Sequence, residues 1–429
     1  MSIFGTGDKT VNAEQKIEGM LCPYRVLDLT NERGFLCGKL LGDLGADVIK
    51  IEKPGGDPAR SIGPFYKDIP DPERSLYWWA FNTSKRGITL DIETADGKEI
   101  FKRLVCTADV ILESFDPGYM DNLGLGYSRL SRVNPQISMA SITGFGQNGP
   151  YRNYNAPDLV VWALSGMMYL YGDPDRAPLA PSFPIGYVFG ALQATIGTMI
   201  ALYHRENTGK GQYIDASAQL SLVWPTEPEP QGLWEQDGII IRRSGRSWFR
   251  GQSGILIPVL YPCKDGSVTF FPFLGPSRME ANIAMGKWME SEGISSSFKD
   301  IDYATLDWQN LGQEFIDEWT RDFAKFFMTQ TKKQLLEGAS RREIILYPVF
   351  TPKDMLEFPQ LNARGYWVTV EHPELETAVI YPGAFITTSG PSCKVRRAPL
   401  IGEHNIEIYI NELGLSKDDL MILKQSRVI

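Results

Sequence analysis

One carboxylate in this chain stands where a backbone could present it to a ligand. Asp158 follows the stretch Ser141-Ile-Thr-Gly-Phe-Gly-Gln-Asn-Gly-Pro-Tyr-Arg-Asn-Tyr-Asn-Ala-Pro157 and heads the apolar run Leu159-Val-Val-Trp-Ala-Leu164. A glycine-rich turn and a Pro/Asn-broken loop thus deliver a single acid to the start of a helix. There its oxygens either cap backbone N–H groups or face a ligand. A lone carboxylate cannot run the paired acid and base chemistry of glycoside hydrolysis. It can act as a nucleophile that forms an acyl anhydride, or as an electrostatic anchor.

Two other groups of residues invite a chemical role. Lys85 and Arg86 adjoin a short strand; a solvated turn pair is the plain explanation, and a phosphorylated ligand is the alternative, since cations at strand-end loops suit phosphate oxygens. Gly144-x-Gly146-x-x-Gly149 matches the dinucleotide fingerprint and follows a strand, but that motif must open directly into a helix. Pro150 and the loop beyond it argue against this, so the glycines are read as permitting close backbone approach. His204, His372 and His404 are too far apart to suggest a metal site, and the five cysteines include no C-x-x-C pair and are expected to be core thiols.

The elements that must position these residues alternate in the α/β manner. Tyr24–Thr30 reads as a strand, Phe35–Leu44 as an amphipathic helix stopped at Gly45, and Ala46–Glu52 as the next strand. This is a parallel strand-helix-strand unit with the loop 31–34 at the carboxyl end of its first strand, where α/β folds place ligands. Segments 88–91, 109–113 and 135–142 add strands, so several loops converge on one sheet edge. Apolar helices are expected over about 159–170 and 186–204. The Pro-rich run 225–230 reads as a linker, strands 255–261 and 267–273 and an amphipathic helix over 310–340 follow, and the chain returns to close with a helix near 404–413. The expected division is a large domain over 20–224, a linker and small α+β domain over 225–345, and a return to the large domain over 346–429.

Composition narrows the partners. A net charge of −9 and a pI near 5.1 argue against a broad nucleic-acid or anionic-membrane surface. The N-terminus lacks the apolar core of a signal peptide and no apolar run of about 18 residues stands out, so a cytoplasmic protein is expected, without a membrane span.

Taken together, Arg25-Val-Leu-Asp-Leu29, Leu44-Gly-Ala-Asp-Val-Ile-Lys-Ile-Glu52, Lys85-Arg-Gly-Ile-Thr-Leu-Asp91, Gly144-Phe-Gly-Gln-x-Gly-Pro-Tyr151, Gly209-Lys-Gly-Gln-Tyr-Ile-Asp215 and Ala398-Pro-Leu-Ile-Gly-Glu-His-Asn405 resemble the class III CoA-transferase family. The resemblance covers about residues 24–429. It implies a large Rossmann-like domain built from both chain ends, a small domain between them, and two subunits threaded through each other as an interlocked dimer. It implies that Asp158 attacks an acyl-CoA thioester to give an enzyme anhydride, that CoA returns to form an aspartyl-CoA thioester, and that an acceptor carboxylic acid then takes the CoA. Coenzyme A enters as part of the substrate, with no permanently bound cofactor. The CoA-binding set expected on this basis is Asn31, Arg33, Lys53, Arg60, Lys85, Arg86, Ser114 and Phe115, and Gly251, Gln252, Ser253 and Gly254 form the loop expected to close over the oxyanion.

Two departures from the family pattern matter. The strand-end motif Glu-Asn-Phe-Arg-Pro-Gly is Glu113-Ser-Phe-Asp116-Pro-Gly118 here, and an arginine before Leu-Gly-Leu-Gly is Asn122. Losing cations near a ligand that bears three phosphate groups points either to an unusual CoA pocket or to a non-catalytic subunit working with a homologous partner. The racemase branch of the fold uses a His-Asp dyad and a further acid; here Pro157 precedes Asp158 and Tyr187 stands where that acid belongs, so proton abstraction lacks its partners. An isomerase that shifts CoA within one molecule is a third alternative. Trp162, Tyr169, Tyr171, Trp224, Trp234 and Trp248 hint at an aromatic or bulky acid, although core packing is the plainer explanation for such residues.

Overall fold

The computed structural model describes residues 19–224, 234–235, 238, 243–245, 247–250, 255–272, 279–303, 305–306, 312–390 and 394–429. They form two compact units. The first holds the chain up to Val161, then Pro184–Ser221 and Ala363–Ile429; the second holds Trp162–Phe183 and Leu222–Asn362.

The first unit is built on a parallel sheet of β1 (Arg25–Asp28), β2 (Asp47–Glu52), β3 (Lys85–Thr89), β4 (Val110–Glu113), β5 (Ser138–Thr143) and β6 (Tyr213–Ser217). The strand order is β3-β2-β1-β4-β5-β6, so the two halves of the sheet run outward from the β1/β4 pair. Parallel strands are covered on both faces, and consecutive residues serve opposite cores. Val26, Val48 and Val110 pack with Ala191, Ala194 and Leu202 of helix Ile185–Thr208 on one face. Leu27, Ile49 and Ile111 pack with Phe101 and Leu104 of helix Ala95–Val105 on the other. The C-terminal segment joins that second core through Ile408, Tyr409, Leu423 and Ile429, and the Tyr409 hydroxyl donates to the Thr89 carbonyl at 2.6 Å.

Helix Ile185–Thr208 corrects one expectation. It is long and apolar enough to cross a membrane by length and composition, with a mean hydropathy of 1.6 over its best window, half of which is buried against the unit's own core. Its small residues let it lie close to the sheet: a Cβ on Gly197 would come within 2.8 Å of Ile214.

The second unit carries an antiparallel three-stranded sheet of β9 (Leu260–Cys263), β10 (Gly266–Phe270) and β11 (Leu346–Pro348), beside the hairpin β7 (Ser247–Arg250) and β8 (Ile255–Pro258). Because β11 pairs with β10, the chain re-enters the first unit at Ala363, later than the expected residue 346. The amphipathic stretch expected over 310–340 is two helices, Gln313–Thr329 and Lys332–Ser340, divided at Thr331, whose side chain forms a capping box with Gln334. Trp319, Phe323, Phe326 and Phe327 from the first of these dominate an aromatic core with Phe270, Trp288 and Phe298. The remaining hairpin, β12 (Trp367–His372) and β13 (Thr377–Pro382), belongs to the first unit.

Candidate active site

Ligands of open α/β sheets bind beyond the carboxyl ends of the strands, where the strand order reverses. Here that point lies between β1 and β4, and two side chains join the loops that leave them. The Asn31 N–H donates to Ser114 Oγ at 2.8 Å, and the Ser114 hydroxyl donates back to Asn31 Oδ1 at 2.8 Å. The same Oδ1 accepts the Arg33 N–H at 3.1 Å, which fixes the turn carrying Arg33 over the crevice. The turn is tight: a Cβ on Gly34 would lie 2.6 Å from the Thr30 methyl group. Phe115, beyond Ser114, packs on Tyr119 with ring centroids 4.5 Å apart.

The structure brings Asn31, Arg33, Ser114 and Phe115 together and sends the other expected cations elsewhere. Lys85 is fully buried inside β3, and its ammonium donates to Asp28 Oδ2 at 2.7 Å, Asn82 Oδ1 at 2.8 Å and the Phe35 carbonyl at 2.9 Å. Three bonds exhaust its donors. Arg60 is equally buried; it forks onto Glu52 at 2.7 and 2.8 Å and reaches Glu73 at 2.7 Å. Arg86 forks onto Asp47 at 2.8 and 2.6 Å and pairs with Glu407. In this fold those three cations join elements of the first unit to one another. Lys53 is exposed and pairs with Glu93 at 2.8 Å, whose carboxylate also accepts the Tyr119 hydroxyl at 2.5 Å. Gly251, Gln252, Ser253 and Gly254 lie outside the described residues.

Beyond β4 and β5 the lining is acidic. A cavity of about 380 Å³ is bounded by Glu113, Asp116 and Asp121, by Tyr119, Tyr127 and Tyr213, and by Arg152. Glu113 is buried, and burial pushes its carboxyl up to about 7, against the hydrogen bonds from Ser141 and the Phe115 N–H at 2.8 Å. The Tyr213 hydroxyl donates to Ser141 Oγ at 2.9 Å, so a short chain of hydroxyls ends on this acid. Sequence reasoning noticed Asp116 as a departure but missed Glu113 and Glu93, whose partners Ser141, Lys53 and Tyr119 come from segments distant in the chain.

Asp158 does not cap its own helix. That helix, Asp158–Leu164, starts with the Val160 and Val161 N–H groups donating to the Pro157 carbonyl. Asp158 Oδ1 instead accepts the Tyr187 N–H at 3.0 Å, with Gly186 as a second backbone donor. Both donors belong to the first turn of helix Ile185–Thr208, where Pro184 offers no side-chain cap. Burial raises the Asp158 carboxyl above its usual range, and the two amides oppose that rise. The Tyr187 ring is itself fixed, its hydroxyl donating to the Ala156 carbonyl at 2.6 Å. Gly144 admits this packing, since a Cβ there would sit 2.2 Å from that of Ala156. Between β5 and Asp158 there is no helix, as the nucleotide fingerprint would require.

Of the aromatic residues weighed for a bulky substrate, Trp162 is core, whereas Tyr169, Tyr171, Trp224 and Trp234 are exposed, contrary to the plainer expectation; the side chain of Trp248 lies outside the described residues.

Comparison with known proteins identifies the family. The model of CoA-transferase family III matches residues 21–405. Subunit BbsE of succinyl-CoA:(R)-benzylsuccinate CoA-transferase from Thauera aromatica is 35% identical, over 90% of this chain and 93% of its own. Formyl-CoA:oxalate CoA-transferase from Streptomyces avermitilis is 34% identical, over 94% and 98%, and succinyl-CoA–D-citramalate CoA-transferase from Chloroflexus aurantiacus is 32% identical, over 92% and 94%. Among solved structures, a CAIB/BAIF family protein from Brucella suis superposes with a TM-score of 0.76 at 27% identity, covering 92% of this chain and 99% of that one. The chain belongs to CoA-transferase family III.

Proposed function

We propose that this class III CoA-transferase moves CoA from an acyl-CoA to a carboxylic acid by way of an aspartyl anhydride and an aspartyl-CoA thioester. The aspartate attacks the thioester carbonyl and expels CoA thiolate. The thiolate then attacks the aspartyl carbonyl of the anhydride, releasing the donor acid. The acceptor carboxylate attacks the aspartyl thioester, and the freed thiolate takes the acyl group from the new anhydride, regenerating the aspartate. The observation that carries this reading is the crevice at the β1/β4 reversal, where Asn31, Ser114 and Phe115 are held together and Asp158 lies half-buried in the same unit. In the proposal Asn31, Ser114, Phe115 and Lys53 contact CoA. Asp158 keeps Oδ1 on the Tyr187 amide, which would stabilise the oxyanion when thiolate attacks its carbonyl. The carboxylate itself is the nucleophile.

Incubation with acyl-CoA and hydroxylamine, followed by peptide mass spectrometry, tests the assignment. A hydroxamate on the Asp158 peptide identifies the nucleophile; an active enzyme without that label defeats the covalent role of Asp158.

The substrates in the relatives' names, succinyl-CoA and formyl-CoA as thioesters and oxalate, benzylsuccinate and citramalate as acids, support dicarboxylic acids as the acceptor class here. A pairing with a homologous subunit is favoured by a separate observation: Lys53 is paired with Glu93, and the Arg33 guanidinium stands against Asp116, so an acid accompanies each of these cations where CoA phosphates would bind. Turnover by the purified chain alone would count against that pairing.

A further inference from the structure

We propose that Arg33 is the specificity residue of this site, recognising the second, non-reacting carboxylate of a dicarboxylic substrate, and that Asp116 occupies its guanidinium when no substrate is bound. The inference rests on the CoA-transferase reading but not on the covalent role of Asp158.

The geometry singles Arg33 out. Its backbone is pinned by Asn31 Oδ1, and its guanidinium lies over the Tyr187 ring at 5.6 Å from the centroid. Tyr187 supplies the N–H that holds Asp158 at 3.0 Å, so the arginine and this carboxylate share one scaffold residue. The side chain is only 24% exposed, yet it makes a single charged contact, Nη1 to Asp116 Oδ1 at 3.2 Å. An arginine presents five N–H donors in a planar fork, and the donors that Asp116 leaves unused have no partner among the described residues.

Asp116 is a weak occupant. Its carboxylate is 88% exposed and meets the guanidinium through one contact instead of a fork, the kind of pair that contributes little. A substrate carboxylate meeting the same guanidinium through two parallel bonds would displace it. The surroundings select carboxylate over phosphate. Glu32 lines the same small recess as Arg33 and Tyr187, and Asp116 meets the Arg33 guanidinium, so two acids accompany one cation. A multiply charged phosphate chain would be repelled there; a single carboxylate matches the single cation. Anchoring the far carboxylate also leaves the reacting end of the substrate unencumbered by a charge-assisted bond that would blunt its nucleophilicity.

The test compares succinate with butyrate, which has the same chain length but one carboxylate, as acceptors and as ligands of the full-length protein. In the parent protein, succinate is expected to bind more tightly and to be used in preference to butyrate. Arg33→Gln is expected to lower the succinate/butyrate ratio in kcat/KM about tenfold or more, the scale of a lost charge-assisted hydrogen bond. Arg33→Lys, which keeps the charge without the fork, should fall between. Asp116→Asn should lower KM for succinate while leaving that for butyrate in place. A ratio that does not move in Arg33→Gln, or a loss of affinity for free CoA instead, overturns the proposal. Calorimetric binding of succinate and butyrate reads the same preference without turnover. A parent protein that transfers CoA and binds succinate selectively but forms no hydroxamate would therefore defeat the covalent step while leaving this proposal standing.

Discussion

Asp28 ends β1 and Glu113 ends β4, and these two acids on neighbouring strands have opposite fates. Both are buried. Burial opposes ionisation of Asp28, but Lys85 at 2.7 Å and Lys50 at 4.0 Å hold its carboxyl below the usual range. Glu113 has no cation against it among the described residues and is pushed up to about 7. The half of the sheet made of β1, β2 and β3 has therefore used its lysines and arginines to fasten its own elements. The half made of β4, β5 and β6 presents acids whose counter-charge must come from a ligand, a partner or a proton. A cation in the sequence is thus no evidence of an anion site until its internal partners are known.

Breaking the paired half should have the largest effect. Lys85→Met leaves Asp28 buried without its closest counter-ion, and removing one member of a buried pair costs about 3–5 kcal/mol. The midpoint of urea unfolding should fall accordingly, with Asp28→Asn in the same background recovering part of the loss. A Lys85→Met protein as stable as the parent would mean that Lys50 alone can hold Asp28, and the contrast between the two halves would weaken.

Lys85 also shows where sequence reasoning stopped. Five of the six parallel strands lay close to segments picked out by apolar runs, because a strand buried on both faces is apolar throughout, whereas β6, half-exposed at the sheet edge, carries no such run. Loop 31–34 was legible for the same reason, since it follows the first such strand. The destination of Lys85 was not, because its partner Asp28 lies 57 residues earlier and the pairing exists only once β1, β2 and β3 are side by side. Asp158 was visible as an acid at a helix start; the helix it caps begins at Ile185, a contact no local pattern encodes.

The unpaired half makes a prediction that depends on pH. Glu113 has a folded value of about 7 against an ordinary 4.5, so the folded state holds a proton that the unfolded chain releases between those values. Stability from this group is fully present below about pH 4.5 and is lost as pH rises through about 7. Glu113→Gln keeps an acceptor for the Phe115 N–H and cannot ionise. It should therefore be more stable than the parent above pH 7, by on the order of 2 kcal/mol, with the difference vanishing toward pH 4.5. Thermal melts of both proteins across that window provide the measurement. A constant difference across the range would show that Glu113 is already paired in solution.

The smallest stability effect should come where the two halves meet at the surface. Lys53 and Glu93 are each about half exposed, so Glu93→Gln should change stability by no more than about 0.5 kcal/mol. Its effect on ligand binding should be larger. The substitution removes a negative charge beside Lys53 and Tyr119 while leaving the amide oxygen to accept from the tyrosine hydroxyl. If Lys53 serves the CoA phosphates, free CoA should bind about two- to tenfold more tightly to Glu93→Gln at low ionic strength, and the gain should shrink as salt screens exposed charge. An unchanged affinity at every salt concentration would remove Lys53 from the CoA-binding set. The acidic half of the crevice would then depend on charge supplied from outside this chain, as pairing with a homologous subunit would provide.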